Sequence, residues 1–215
     1  MHFASYYRWL VATEQWGFPT KFDGPVLDIG ADDGQFLNQI EAPLKMGVDR
    51  YSRPSVSFPW VQCSGTSLPL ASSSFSHVFA FDVIEHIEDD TAVLHEAIRV
   101  LQPGGTLWLS STGHQFFIFP GGAIQHGLEQ SWGHVRRGYS AKMITQRLPQ
   151  NVSVDMFWWN EKAFRTVYTA LYAMKRISAA LPLRLIRPLV RLDARNPAGE
   201  AGHIFARVIK DKHTL

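Results

Sequence analysis

The chain has 215 residues, 46% of them hydrophobic and 13% aromatic, which suits one α/β domain with a full core. Its one cysteine, Cys63, excludes a disulfide framework and a cysteine-based zinc cluster and fits a reducing compartment; no signal-peptide pattern opens the chain and no apolar run approaches the ~20 residues of a membrane span, so a cytoplasmic location is expected. The net charge of +2 is unevenly spread: residues 1–100 carry six Lys/Arg against thirteen Asp/Glu, a net of −7, and residues 101–215 carry fifteen against six, a net of +9. Either an acidic half abuts a basic cap, or the basic part meets an anionic partner such as a phosphate-bearing substrate or a lipid surface.

In chain order, residues 1–24 are rich in aromatics (Tyr6, Tyr7, Trp9, Trp16, Phe18), with apolar spacing for a short helix that packs on a sheet or covers a ligand site. Val26-Leu27-Asp28-Ile29 reads as a short buried parallel strand. A carboxylate in such a run is costly without a partner, which places Asp28 near the strand's end, facing something. Gly30 and Gly34 bracket a tight turn, and Gln35 to Ile40 opens a helical pattern. Strand, glycine turn and helix are the parts from which doubly wound folds build a ligand site. The turn lacks G-x-G-x-x-G, with Asp32 where a middle glycine would stand; Asp tolerates positive φ better than most residues, so a tight turn is still expected. Asp28, Asp32 and Asp33 would repel a pyrophosphate and suit a sulfonium-bearing nucleoside better than a dinucleotide.

Leu44 to Asp49 reads as a second strand, and Asp49 falls about 20 residues past the glycine turn, the spacing at which such folds place a carboxylate on a ribose. Phe58 to Cys63 is a third strand, followed by the turn Ser64-Gly65-Thr66-Ser67-Leu68-Pro69. His77 to Asp82 is a fourth, with Val83-Ile84-Glu85-His86 directly after it. Leu94, Ile98 and Leu101 at helical spacing lead to the helix stop Pro103-Gly104-Gly105, and Thr106 to Ser110 is a fifth strand. Residues 111–139 are loop-like, a helix is predicted over 141–148, and Val152 to Trp159 and His203 to Lys210 are the last two strands. The stretch 160–200 between them is too long for a structureless loop. In it Phe164, Val167, Leu171 and Met174 form a helical stripe, and over 180–192 Arg184, Arg187 and Arg191 share one face opposite leucines, with a kink expected at Pro188. This insert is expected to be a cap over the site or a basic amphipathic helix lying on an anionic membrane, peripheral at its inner face.

Val26 to Leu37 resembles the first motif of class I S-adenosylmethionine-dependent methyltransferases, hydrophobic-D-hydrophobic-G-x-G-x-G, departing from it at Asp32. Leu94 to Gly105 and Gly133 to Ser140 resemble further stretches of the same family, in its methyltransferase type 11 branch. The resemblance implies one domain over 1–215: an α/β, Rossmann-like, doubly wound, mostly parallel seven-stranded sheet with an antiparallel last strand and a helical insert before it. Residues 1–24 would be an N-terminal cover, 111–139 an active-site loop and 160–200 the cap or membrane-surface insert.

The same resemblance implies S-adenosylmethionine as cofactor, bound by Asp28, Gly30, Ala31, Gly34, Asp49, Ser64, Gly65, Thr66 and Asp82, with Ser64 standing where family members usually carry an acid. Methyl transfer is an in-line displacement that mainly needs positioning, and a hydroxyl acceptor also needs a base; Glu85, His86, His114 and His134 are the candidates. Asp82, Glu85 and His86 match an acid-x-x-Glu-His arrangement that holds a divalent ion in some quinone-pathway O-methyltransferases. That arrangement is common without metal, the histidines show no zinc spacing, and no metal site is assigned. The expected function is methyl transfer to a small-molecule acceptor, a hydroxyl of a lipid-linked or glycan intermediate. The alternatives are a non-catalytic methyltransferase-like scaffold and, disfavoured by the turn, a nicotinamide-dependent oxidoreductase. No nucleic-acid partner is expected, because Asp82-Val83-Ile84-Glu85 stands in place of the N-P-P-Y-type tetrad of amino methylases. The acceptor's identity and the oligomeric state stay open at this point.

Overall fold

The computed structural model describes residues 2–51, 56–114, 133–178, 180–196 and 202–212. Seven strands form one sheet: β1 (Val26–Ile29), β2 (Lys45–Asp49), β3 (Trp60–Gln62), β4 (Phe75–Phe81), β5 (Leu101–Thr112), β6 (Val152–Trp159) and β7 (His203–Lys210), in the order β3-β2-β1-β4-β5-β7-β6. The first five pair in parallel, and β7 slots between β5 and β6, antiparallel to both. The order reverses between β1 and β4, the switch point beyond whose carboxyl ends such sheets bind ligands.

Strand side chains alternate between two cores. Leu27, Ile29, Val78, Ala80, Leu107 and Leu109 turn to the face covered by α2 (Asp90–Val100) and α3 (Ala141–Thr145). Val26, Phe79, Trp108 and Phe205 turn to the other face, covered by α1 (Phe3–Val11), α4 (Lys162–Ile177) and α5 (Ala180–Asp193). This second core is strongly aromatic. Phe18 at its centre lies 5.1–6.1 Å, ring centroid to centroid, from Trp9, Phe22, Phe36, Phe79, Phe81 and Trp108.

The insert is a helical hairpin, α4 and α5, fastened by one buried carboxylate. Asp193, the last residue of α5, accepts from the backbone N–H groups of Ala163 (2.6 Å) and Phe164 (3.1 Å), capping the first turn of α4. It also accepts from the Tyr7 hydroxyl (2.6 Å), which ties α1 to the hairpin; that hydroxyl in turn accepts from Trp159 Nε1 (2.7 Å), and the Tyr7 ring stacks on Phe164 at 4.0 Å.

Three sequence expectations change. The helix expected from Gln35 is a single 3-10 turn, Leu37–Gln39. Ile40 is extended and Glu41 bridges to Lys21, while Lys45 Nζ donates to the Leu37 and Ile40 carbonyls, so the chain leaves the helical path after one turn. Pro103-Gly104-Gly105 does follow the end of α2, but as a bulge inside a long β5: the register passes from Phe75↔Leu101 to His77↔Thr106. β3 and α3 are shorter than the patterns suggested. The helix expected over 180–192 is α5, with Pro188 inside it at an exposed position, where water can serve the carbonyl one turn earlier that lacks its donor. Most of the expected loop over 111–139, including Phe116 to Pro120, lies outside the described residues; at its edges β5 extends to Thr112 and Gly113 bridges to Tyr139.

Candidate functional site

A cleft of about 1380 Å³ opens at the carboxyl ends of β1, β2 and β4. Its first wall follows from backbone constraints. Gly30 has φ 75°, and a Cβ there would sit 2.5 Å from a Val83 methyl, so the chain needs glycine at this point. Asp32 adopts φ 42°, the left-handed conformation that the sequence reading expected of an Asp in place of glycine. Its N–H donates to Asp49 Oδ2 (3.0 Å), while Asp49 Oδ1 accepts from the Tyr51 N–H (2.9 Å), so the carboxylate at the end of β2 braces the turn after β1. Asp28 is buried and lines the cleft. Burial and the nearby Asp49 charge push its carboxyl well above the usual carboxylate range. A cation brought to this wall would favour the ionised carboxyl.

Of the residues that the sequence suggested for the cofactor, Asp28, Gly30, Ala31, Asp49, Ser64, Gly65, Thr66 and Asp82 all line this one cleft. Gly34 does not. It turns the chain with φ 71°, and the side where a Cβ would stand is filled by Phe58 and Val56. Ser64 Oγ and Thr66 Oγ1 lie 2.7 Å apart on the loop after β3, two hydroxyls where an acid was expected.

The opposite wall is built from distant parts of the chain. Asp82, just past β4 and itself at φ 55°, faces Arg8 of α1 with Oδ2 2.9 Å from Nη1, accepts from Ser110 Oγ (3.0 Å), and lies 2.8 Å from His203 Nε2 at the start of β7. Burial would raise this carboxyl, but the Arg8 and His203 charges outweigh it and hold Asp82 far below the ordinary range, an anion across the working pH. Behind His203 lies Glu161, also buried, with Oε1 3.8 Å from His203 Nδ1. His2, Ser5, Arg8, Trp9 and Ala12 line the same cleft, so the N-terminal segment is its roof. Sequence reading singled out none of Arg8, His203 and Glu161. An arginine on an aromatic helix and a histidine opening a strand carry no local pattern.

The base candidates separate. His86, in the 3-10 turn Ile84–His86, lines the cleft, and its Nδ1 lies 3.2 Å from the Gly133 carbonyl. With Nδ1 donating there, Nε2 is left as the acceptor. His134 packs edge-to-face on His86 with ring centroids 4.7 Å apart; burial and the neighbouring His86 lower its pKa to about 4, so it stays neutral near pH 7. Glu85 turns away from the cleft into the interior, where it accepts from Ser111 Oγ (2.9 Å), and burial followed by the Asp82 charge raises its pKa. His114 is exposed and outside the cleft. Among the described residues, the ligand atoms of Glu85, His86 and His134 lie within 4.8 Å of one another, whereas Asp82, the third member of the expected acid-x-x-Glu-His set, is engaged by Arg8, His203 and Ser110.

The loop bearing Gly133 and His134 is clamped in place. Arg136 pairs with the buried Asp90 and donates to the Ile87 and Glu88 carbonyls (3.0 and 2.7 Å), and Asp90 also accepts from Arg147 Nε and the Tyr139 hydroxyl, both at 2.7 Å.

Residues 27–109 match the model of the methyltransferase domain family described as "Methyltransferase domain". An uncharacterized methyltransferase of Mycobacterium sp. (strain JLS) is 31% identical over 137 residues, covering 60% of this chain and 52% of that protein; the chain thus spans about half the length of the curated relatives it matches. Among solved structures, an S-adenosylmethionine-dependent methyltransferase from Mesorhizobium loti superposes with a TM-score of 0.64 at 13% identity, over 97% of this chain and 100% of that one. A phosphoethanolamine N-methyltransferase 2 from Haemonchus contortus, solved in complex with S-adenosyl-L-methionine, gives 0.58 at 15% identity, over 97% and 53%.

Proposed function

We propose that the chain is a class I S-adenosylmethionine-dependent methyltransferase that moves a methyl group from that cofactor to a hydroxyl of a small amphiphilic acceptor, lipid-linked or glycan-bearing. One observation carries the reading: a single cleft joins an anionic wall suited to a cationic nucleoside with a second wall that holds an open imidazole beneath a roof of aromatic and basic side chains.

The residues present fit the cofactor. Asp28 is a buried carboxyl without a countercharge, Gly30 leaves room that a Cβ would take, Asp49 stands at the end of β2 for ribose hydroxyls, and Ser64 and Thr66 offer hydroxyls to an adenine edge. When bound, the cofactor supplies a methyl group made electrophilic by its positive sulfur. The chain does the rest by holding both reactants in line and keeping water out. His86, with Nδ1 directed at Gly133, is the side chain placed to accept the proton of an acceptor hydroxyl at Nε2. Arg8, fixed by Asp82, together with Trp9 and Phe205, shapes the acceptor's part of the cleft. The apolar share of that lining, and the basic hairpin behind the roof, support an amphiphilic acceptor over a free sugar.

Titration calorimetry tests the first half: micromolar binding of S-adenosylmethionine and S-adenosylhomocysteine is expected, and none of NAD. Absence of both adenosyl ligands would favour a scaffold that keeps the fold without the reaction. For the second half, a tritiated-methyl assay against lipid-linked and glycan extracts should label a hydroxyl. In that assay His86→Gln should cut kcat by roughly 10²-fold or more while leaving cofactor affinity unchanged.

A further inference from the structure

We infer that the hairpin of α4 and α5 is a docking surface for an anionic lipid bilayer. Residues 162–195 contain eight Lys/Arg and one acid, Asp193, and that acid is buried under Tyr7 as the cap of α4. The hairpin therefore shows solvent no negative charge of its own. Arg187 is paired across to Glu14 at 2.9 Å, while Lys175, Arg176, Arg184, Arg191 and Arg195 are exposed.

Charge alone would suit any polyanion. The apolar groups decide between them. Four of the seven large hydrophobic side chains that the described residues expose, Tyr172 (54%), Ile177 (81%), Leu185 (43%) and Leu192 (48%), lie on this hairpin, interleaved with those cations. A solvated helix face has no reason to carry them, and a nucleic-acid surface would not reward them. A bilayer interface takes both, with the apolar tips among the acyl chains and the Lys/Arg at the headgroups. The inward side of α5 is already used, since Ile186 and Val190 are fully buried in the core under α1; the outward side is the free one. No helix among the described residues is long and apolar enough to cross a membrane, so the contact is interfacial.

The test is flotation of the whole chain with vesicles of phosphatidylcholine alone or with phosphatidylglycerol added, at low and high salt, with S-adenosylmethionine titrated on the same preparation. Wild-type protein should rise with the anionic vesicles, remain below with the neutral ones, and be released by salt, each neutralised charge weakening partition roughly fivefold. Arg176→Glu/Arg184→Glu/Arg191→Glu/Arg195→Glu should abolish flotation, and Ile177→Asp/Leu185→Asp/Leu192→Asp should weaken it with the basic residues intact. All these side chains are exposed, so both variants should keep the wild-type thermal midpoint and cofactor affinity. Failure to float with anionic vesicles, equal flotation with neutral ones, or insensitivity to both variants overturns the inference. So does duplex DNA that binds the hairpin when vesicles do not. Because the titration is read separately, loss of membrane binding and loss of the methyltransferase reading are distinguishable.

Discussion

The two walls of the cleft are made in opposite ways. The wall formed by Asp28, Gly30, Asp32 and Asp49 comes from two consecutive strand–turn units, and its longest brace, Asp32 to Asp49, joins residues 17 apart. The wall formed by Arg8, Asp82 and His203 gathers three separate regions, and its fastening, Tyr7 to Asp193, spans 186 residues. The first is anionic and shaped by backbone, the second is a mixed-charge network shaped by tertiary packing. A binding surface for one constant ligand can be written in a short motif. A surface for a variable acceptor is assembled from whatever the rest of the fold brings over it.

Predictions that separate the walls follow from their energetics. Phe164→Ala should be the most damaging change: the ring is buried, stacked on Tyr7 and close to Phe3 and Tyr168, and its loss should lower stability by about 3–5 kcal/mol. A thermal melt would show this, and saturating S-adenosylhomocysteine should restore part of it, because the cofactor wall is left whole. Arg8→Ala, which leaves the Asp82 carboxylate to His203 and Ser110 alone, should lower stability by about 1.5–3 kcal/mol while changing cofactor affinity less than threefold. A large loss of cofactor affinity in this variant would mean that the walls are one unit.

The third prediction concerns pH. Asp28 has its pKa raised by burial and by Asp49, so the unliganded folded state holds that proton more tightly than the unfolded chain, and stability should fall as pH rises through the interval above the normal carboxylate range. A cationic ligand favours the ionised form, so affinity should move the other way, strengthening up to about tenfold per pH unit over the same interval, with a proton released on binding. Calorimetry in buffers of different ionisation enthalpy reads that proton. Asp28→Asn should flatten both profiles, weaken binding and stabilise the unliganded protein. The smallest effect is expected of Asp32→Gly. Asp32 already holds φ 42° with its N–H on Asp49, so glycine relieves about 1 kcal/mol of backbone strain and should alter cofactor affinity less than threefold.

This contrast also explains what the sequence disclosed. The seven strands, the carboxylates ending β1 and β2, and the hairpin helices each rest on local periodicity or on a residue type at a fixed distance, and each could be read one segment at a time. The turn after Gly34 read as a helix because its residues favour one; the bridge from Glu41 to Lys21 and the Lys45 ammonium, neither visible in the pattern, stop it after one turn. Glu85 looked as available as His86, yet its carboxylate is buried and accepts from Ser111 in the interior, while the exposed His86 ring lines the cleft. His203 read only as the first residue of the last strand; the position of β7 between β5 and β6 buries it against Asp82.

The position of β7 has a temporal consequence. The ribosome releases β1 to β4 and their turns early, so the nucleotide-facing wall has its own chain in hand while synthesis continues. The roof does not: α1 is made well before its fastener Asp193 and its neighbour His203, with 186 residues between Tyr7 and Asp193. Helix α1 must therefore wait, unanchored, until the hairpin and β7 have been made, and non-local closure of this kind forms slowly. Until then a growing chain carries one wall of the cleft without the roof that encloses it.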